Sequence, residues 1–312
     1  MFSFTRKPYF VVFIILYVGS VVYLYKTGYP TTKILSAFFS YGLILTLLAY
    51  FVSLRSRKAV SSQPFFYREW ITLVSLIVYI VVYISWADHL INEVLAREFK
   101  LPPATLYLID AGKDVLFYFV IPFGLYRSIY GFSLREAGLH IPLKQVFSRI
   151  NLVTFLVLGI AIIVLQYSFD ESLVELWEAE YPAGALYSAV PLLFMLLFFK
   201  AGLAYGFFFR ALLQSRFAIG LNSKFGGMLV SLLIFGLAHL PLFLNEGIPD
   251  KHGVAQFPGF FTSLAISIGV ISITSLFIAI IWRRSKNLWL VMGLYAVLEL
   301  LPNLHHFIRA WN

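Results

Sequence analysis

The apolar runs of this 312-residue chain recur at the length of a bilayer, and that constrains its fold more than any other feature. A hydrocarbon core about 30 Å thick takes about 20 residues of helix. Nine stretches approach that ruler: residues 9–25, 34–54, 70–91, 115–130, 152–169, 185–209, 228–244, 260–282 and 288–304. Lipid offers no partners for backbone N–H and C=O groups, so such runs must be helices that satisfy themselves. The expected fold is all-α, a polytopic transmembrane helical bundle of eight to nine spans. The fourth and ninth runs are short, and Pro122 is expected to kink the fourth. Only 12% of residues are charged, against about a quarter in soluble domains, which excludes an ordinary soluble protein. Cysteine is absent, which excludes disulfides, thiol catalysis and cysteine metal sites.

A net charge of +9 raises the question of nucleic acid. The distribution of the charge answers it. Arg6 and Lys7 precede the first run; Arg55, Arg57, Lys58 and Arg68 separate the second and third; Arg127, Arg135, Lys144 and Arg149 follow the fourth. Arg216 and Lys224 follow the sixth, and Arg283, Arg284 and Lys286 follow the eighth. The intervening loops are acidic or balanced, as at Asp170, Glu171, Glu175, Glu178 and Glu180; only Lys26 and Lys33 dissent. Basic residues in alternate loops set membrane orientation. The N-terminus is therefore expected in the cytoplasm and, with nine spans, the C-terminus outside. The partner implied is the lipid bilayer, not nucleic acid. The first run is too long for a signal-peptide core and lacks a cleavage site, so it reads as a retained helix. Residues 1–112 read as N-terminal helices with an outer loop, and 113–312 as a transmembrane core. The loops 88–114 and 170–182 have the amphipathic spacing of interfacial helices.

Ionisable groups within lipid are expensive and mark function by default. Lys200 lies some 15 residues into the sixth run, near mid-membrane, and needs a partner. Arg210 falls near that run's end, within snorkelling reach of water. His239 and Glu299 are also expected near mid-depth, and Tyr295 sits one turn before Glu299 on the same face. Glu299 is expected to pair with Lys200 or His239, with Asp110, Lys113 and Asp114 extending the cluster.

The C-terminal 200 residues resemble the CPBP family of intramembrane proteases, the CAAX proteases and bacteriocin-processing enzymes also called Abi. That family carries Glu-Glu-x-x-x-Arg, Phe-x-x-x-His and His-x-x-x-Asn/Asp on successive helices. Phe235-Gly-Leu-Ala-His239 keeps the second motif, and Arg210, followed by Ala211-Leu-Leu-Gln214, keeps the arginine of the first. Ile280 to Trp289 resembles the turn before the third motif, and Gly131-Phe-Ser-Leu-Arg-Glu-Ala-Gly-Leu139 the family's loop before its core. The paired glutamates fall on Tyr205 and Gly206, and the third motif's histidine and asparagine fall on Tyr295 and Glu299. The resemblance implies water activated by a glutamate and histidines, with a divalent metal as the implied cofactor. Here the ligand set for such a metal is incomplete, because zinc wants about three protein ligands and an open position.

Three readings follow. In the first, the chain is a pseudoprotease that binds or scaffolds membrane peptides or proteins. In the second, it is an active CAAX-type endopeptidase with a rebuilt site using Glu299 and His239, with Arg210 retained. In the third, it is a transporter or channel subunit in which Lys200, Glu299 and His239 relay protons. Tyr205, Tyr295 and Lys200 would line the polar cluster in each. The family's abundance points to the plasma membrane, by default the bacterial inner membrane.

Overall fold

The structure is a computed structural model. It describes residues 8–53, 65–97, 99–169, 181–245, 247–249 and 255–311, together with 176, 178 and 179. Arg6, Lys7, Arg55, Arg57, Lys58 and most of the 170–182 loop lie outside the described residues.

Helices carry almost all of the described chain: α1 Pro8–Lys26, α2 Thr31–Val52, α3 Glu69–Ala87, α4 over residues 103–130, α5 Arg149–Phe169, α6 Gly184–Gly220, α7 Lys224–Asn245, α8 in two parts, and α9 Leu288–Trp311. The one strand pair among the described residues joins Ile248–Pro249 to Ala255–Gln256, antiparallel. Among the described residues, seven helices are long and apolar enough to cross a membrane. The two parts of α8, Phe260–Thr274 and Leu276–Ser285, bend by 42° at Ser275 and make an eighth if taken as one span. The fourth expected span, 115–130, is helical but is not among those that pass. Its apolar stretch is short because Lys113 and Asp114 precede it and Arg127 interrupts its end. The 88–114 loop is itself largely helical, with helices at Asp88–Arg97 and Pro103–Val115.

The chain divides into two compact units. The first comprises Met1–Val81, Phe209–Pro249 and Ala255–Lys286. Its core includes Phe13, Met228, Leu229, Leu232 and Ala279, and a second cluster of Leu24, Ile34, Ala265 and Ile266. It also holds a buried ion pair. Glu69 is 0% and Arg216 3% exposed, and the guanidinium grips the carboxylate at both oxygens, Nε to Oε2 at 2.8 Å and Nη2 to Oε1 at 2.6 Å. That fork matches carboxylate geometry, which is why arginine rather than lysine serves buried pairs best.

The second unit comprises Val82–Phe208, Asp250–Val254 and Asn287–Asn312. Its core is built from two rows at four-residue spacing, Ala189, Leu193 and Leu197 on α6 and Ala296, Leu300 and Leu304 on α9. Rows at that spacing form the ridges by which helices interlock. Further along α6 the two backbones approach closely. A Cβ on Gly202 would lie 2.6 Å from the Met292 carbonyl oxygen and 2.8 Å from its Cα, so only glycine fits. Pro302 interrupts α9. It has no N–H to give the Leu298 carbonyl four residues back, and Gln166 on α5 supplies the missing donor, Nε2 to O at 2.6 Å.

Candidate functional site

The family's motif positions on α6 lie where its helical ladder widens. α6 is α-helical to Leu197 and π-helical over Phe198–Gln214, which carries Lys200, Tyr205, Gly206 and Arg210. π-turns are rare and frequent at functional sites.

In the first unit, the retained motif residues touch in sequence. Arg210 is fully buried; it does not reach water as a snorkelling arginine would. Its Nη1 donates to Ser231 Oγ at 3.3 Å and its Nη2 to the Ser275 carbonyl, at the bend of α8, at 3.4 Å. The guanidinium carbon lies 5.3 Å from the centre of the Phe235 ring, close enough for a cation–π contact. Phe235 in turn lies 4.8 Å from the His239 ring. The His239 backbone N–H is taken by the Gly236 carbonyl at 3.0 Å, which leaves the Phe235 carbonyl to accept from the imidazole Nδ1 at 2.8 Å. A carbonyl can only accept, so Nδ1 carries the proton and Nε2 of the neutral ring keeps its lone pair. The Phe-x-x-x-His spacing thus fixes the histidine's tautomer, and the arginine braces the phenylalanine that fixes it.

In the second unit, the positions on which the family's paired glutamates and third motif fall are packed. A Cβ on Gly206 would meet Val291 Cγ1 at 3.0 Å, Leu288 Cδ1 at 3.3 Å and Tyr295 Cδ2 at 3.7 Å. Tyr295 itself is 1% exposed. Tyr205 meets Tyr118 edge to face, with ring centres 5.0 Å apart. Glu299 accepts from its own helix, Asn303 Nδ2 reaching its carboxylate at 3.3 Å and its carbonyl at 2.8 Å.

Lys200 belongs to a polar network in the same unit. Its ion-pair partner is Asp110 on α4, not Glu299. Asp110 also pairs with Lys113 at 3.2 Å, and Lys113 with Asp88 at 2.5 Å. Tyr83 donates to Asp88 at 3.2 Å and lies 3.5 Å from Asp114. The Lys200 ammonium lies 5.4 Å from the centre of the Tyr107 ring, whose hydroxyl donates to Asn303 at 3.3 Å. Lys200 and Glu299 are therefore linked through Tyr107 and Asn303. Asp110, Lys113 and Asp114 were legible from their i, i+3, i+4 spacing on one helix face. Asp88, Tyr107 and Asn303 gave no such signal, and neither did the Glu69–Arg216 pair. His239 sits in the other unit. Among the described residues no three His, Cys, Asp or Glu side chains gather as a metal site requires, and the residues at the motif positions do not fit a zinc ligand set.

The two segments that resemble the family outside its motifs are hydrogen-bonded to each other. Gly138 and Leu139 accept from Leu288 N at 3.2 Å and Trp289 Nε1 at 3.1 Å. Ser133 and Glu136 close a capping box there, with Glu136 accepting from Ser133 N at 2.9 Å and Ser133 Oγ accepting from Glu136 N at 3.3 Å.

Helix after helix of membrane length, with an arginine and a histidine braced through one phenylalanine, defines a multi-pass membrane protein. Residues 187–301 match the family model described as Type II CAAX prenyl endopeptidase Rce1-like. No curated protein and no solved structure is matched by the chain.

Proposed function

We propose that this protein is a catalytically degenerate CAAX-protease-like membrane protein that binds a membrane-embedded peptide or protein segment without cutting it. The observation that carries this reading is Gly206. The family places a glutamate there, whereas here Val291 and Leu288 occupy the space a side chain would need. The neighbouring position, Tyr205, is engaged with Tyr118. Neither can act as the base that removes a proton from water, and a base must lie within hydrogen-bond reach of its proton. Lys200, which would tune Glu299 in a rebuilt site, is paired with Asp110. What remains is a scaffold: Arg210, Phe235 and His239 hold α6, α7 and α8 in the register that the motifs specify.

The ligand class carried over from the family's description is a prenylated C-terminal peptide, met in the plasma membrane, the bacterial inner membrane by default. A farnesylated, photoreactive peptide tests this with full-length protein in lipid nanodiscs. The expected result is crosslinking that an unlabelled farnesylated peptide competes away, with the peptide recovered intact. Crosslinking no greater than with an unprenylated control refutes binding. Fragments that vanish with His239→Ala refute the loss of catalysis.

A further inference from the structure

Four cations of the first unit, Lys224, Arg283, Arg284 and Lys286, have no carboxylate partner among the described residues. Arg284 turns to α2, where its Nη1 donates to the Tyr50 carbonyl at 3.1 Å and its guanidinium stacks 3.9 Å from that ring's centre. Lys286 follows the last turn of α8 in a left-handed conformation, φ 49°, that folds it back over the helix end. Its ammonium donates to Ser215 Oγ at 3.0 Å and lies 4.7 Å from the centre of the Trp282 ring. The same hydroxyl accepts from Trp282 Nε1 at 3.0 Å and donates to the Arg210 carbonyl, so it has no further capacity. An ammonium has three donors, and Ser215 accounts for one.

The surroundings add positive charge. Lys224 is the first residue of α7, where the helix dipole is already positive and a cation is unfavourable. Burial and that same Lys224 push the Lys286 ammonium down to about 8. A solvated residue that merely orients the chain would be spread into water; Lys286 is mostly buried and held over Trp282.

We infer that Lys286 and Lys224 form a binding site for a phosphate-bearing anion at the membrane surface. A phospholipid headgroup and free phosphate share this chemistry. Basic clusters flanking a transmembrane helix attract anionic headgroups.

The test uses full-length protein in a neutral detergent, with native mass spectrometry of bound phosphatidylglycerol, phosphatidylcholine and inorganic phosphate. Retention of phosphatidylglycerol over phosphatidylcholine, unaffected by millimolar inorganic phosphate, supports the site and assigns it to lipid. Competition by inorganic phosphate supports the site and assigns it to the free anion. Lys224→Gln, an exposed change that leaves the Lys286–Ser215 bond in place, weakens retention about fivefold, as does Lys286→Gln. Lys144→Gln, an exposed lysine elsewhere, leaves it unchanged. Equal retention of the two lipids together with no phosphate binding, or equal losses in Lys224→Gln and Lys144→Gln, overturns the inference.

Discussion

The bond between Gln166 and the Leu298 carbonyl has a value that a double-mutant cycle can isolate. Pro302 deprives that carbonyl of its helical donor, and Gln166 Nε2 stands in at 2.6 Å. Gln166→Leu removes the donor and leaves a buried acceptor, which by itself costs about 1–3 kcal/mol. The same change also removes Gln166 Oε1, a buried acceptor with no partner, and that offsets part of the loss. The single substitution is therefore a poor measure of the bond. In a Pro302→Ala background the residue-302 N–H can reach the Leu298 carbonyl, so the loss shrinks while the offset stays. The difference between the two backgrounds cancels the offset. Interhelical hydrogen bonds in membranes average about 0.6 kcal/mol and reach about 1.7 kcal/mol; a short bond to an orphaned carbonyl belongs at the upper end, so about 1–2 kcal/mol of coupling is expected. Unfolding of the four variants in mixed micelles, followed by far-ultraviolet circular dichroism, reads it. Equal costs of Gln166→Leu in both backgrounds would refute the compensation.

Gly202→Ala is expected to destabilise by about 1–3 kcal/mol, because its Cβ meets the Met292 backbone, while Gly112→Ala, with nothing within 4 Å, gains up to about 1 kcal/mol of helix propensity; the same unfolding assay compares them. The depressed folded pKa of Lys286 has a definite sign. Between about 8 and the ordinary 10.5 the unfolded chain binds the extra proton, so stability rises with pH across that window. Lys286→Gln flattens the rise, which unfolding midpoints from pH 7 to 10.5 would detect. Topology makes a further prediction. α4 fails as an apolar span because of Lys113, Asp114 and Arg127, yet Lys113 is paired inside the protein. If α4 did not cross, Arg127, Arg135, Lys144 and Arg149 would face the same side as the acidic helix ends, against the positive-inside rule. Cysteines introduced singly at Ser3 and Asn312 are therefore expected to label from opposite sides of the membrane; labelling from one side removes α4 from the spans.

The bundle was legible because lipid permits little else: runs of about 20 apolar residues must be helices. The motif residues were legible for a related reason, since Arg210 and His239 stand out in apolar sequence. Their mutual contact was not, because it passes through Phe235, an aromatic among 32 phenylalanines. Lys200 was correctly seen to need a partner, but sequence proximity to the motifs favoured Glu299. Asp110 won because α4 brings its carboxylate to the Lys200 ammonium in the same unit, already held by Lys113. Glu69 and Arg216 were hidden more completely. They are 147 residues apart, and each resembles a solvated residue at a helix end until the fold buries both. Gly202 and Gly206 read as sites of close helix packing, but glycine in a membrane helix serves many packings, and sequence does not say which helix comes near.

Peptidase activity on a farnesylated C-terminal peptide, compared between the wild-type protein and His239→Ala, tests the loss of catalysis most directly. The account predicts no cleavage of the peptide by either protein above a protein-free control. Cleavage by the wild type that disappears in His239→Ala would contradict it and restore an active site that does not depend on the family's paired glutamates.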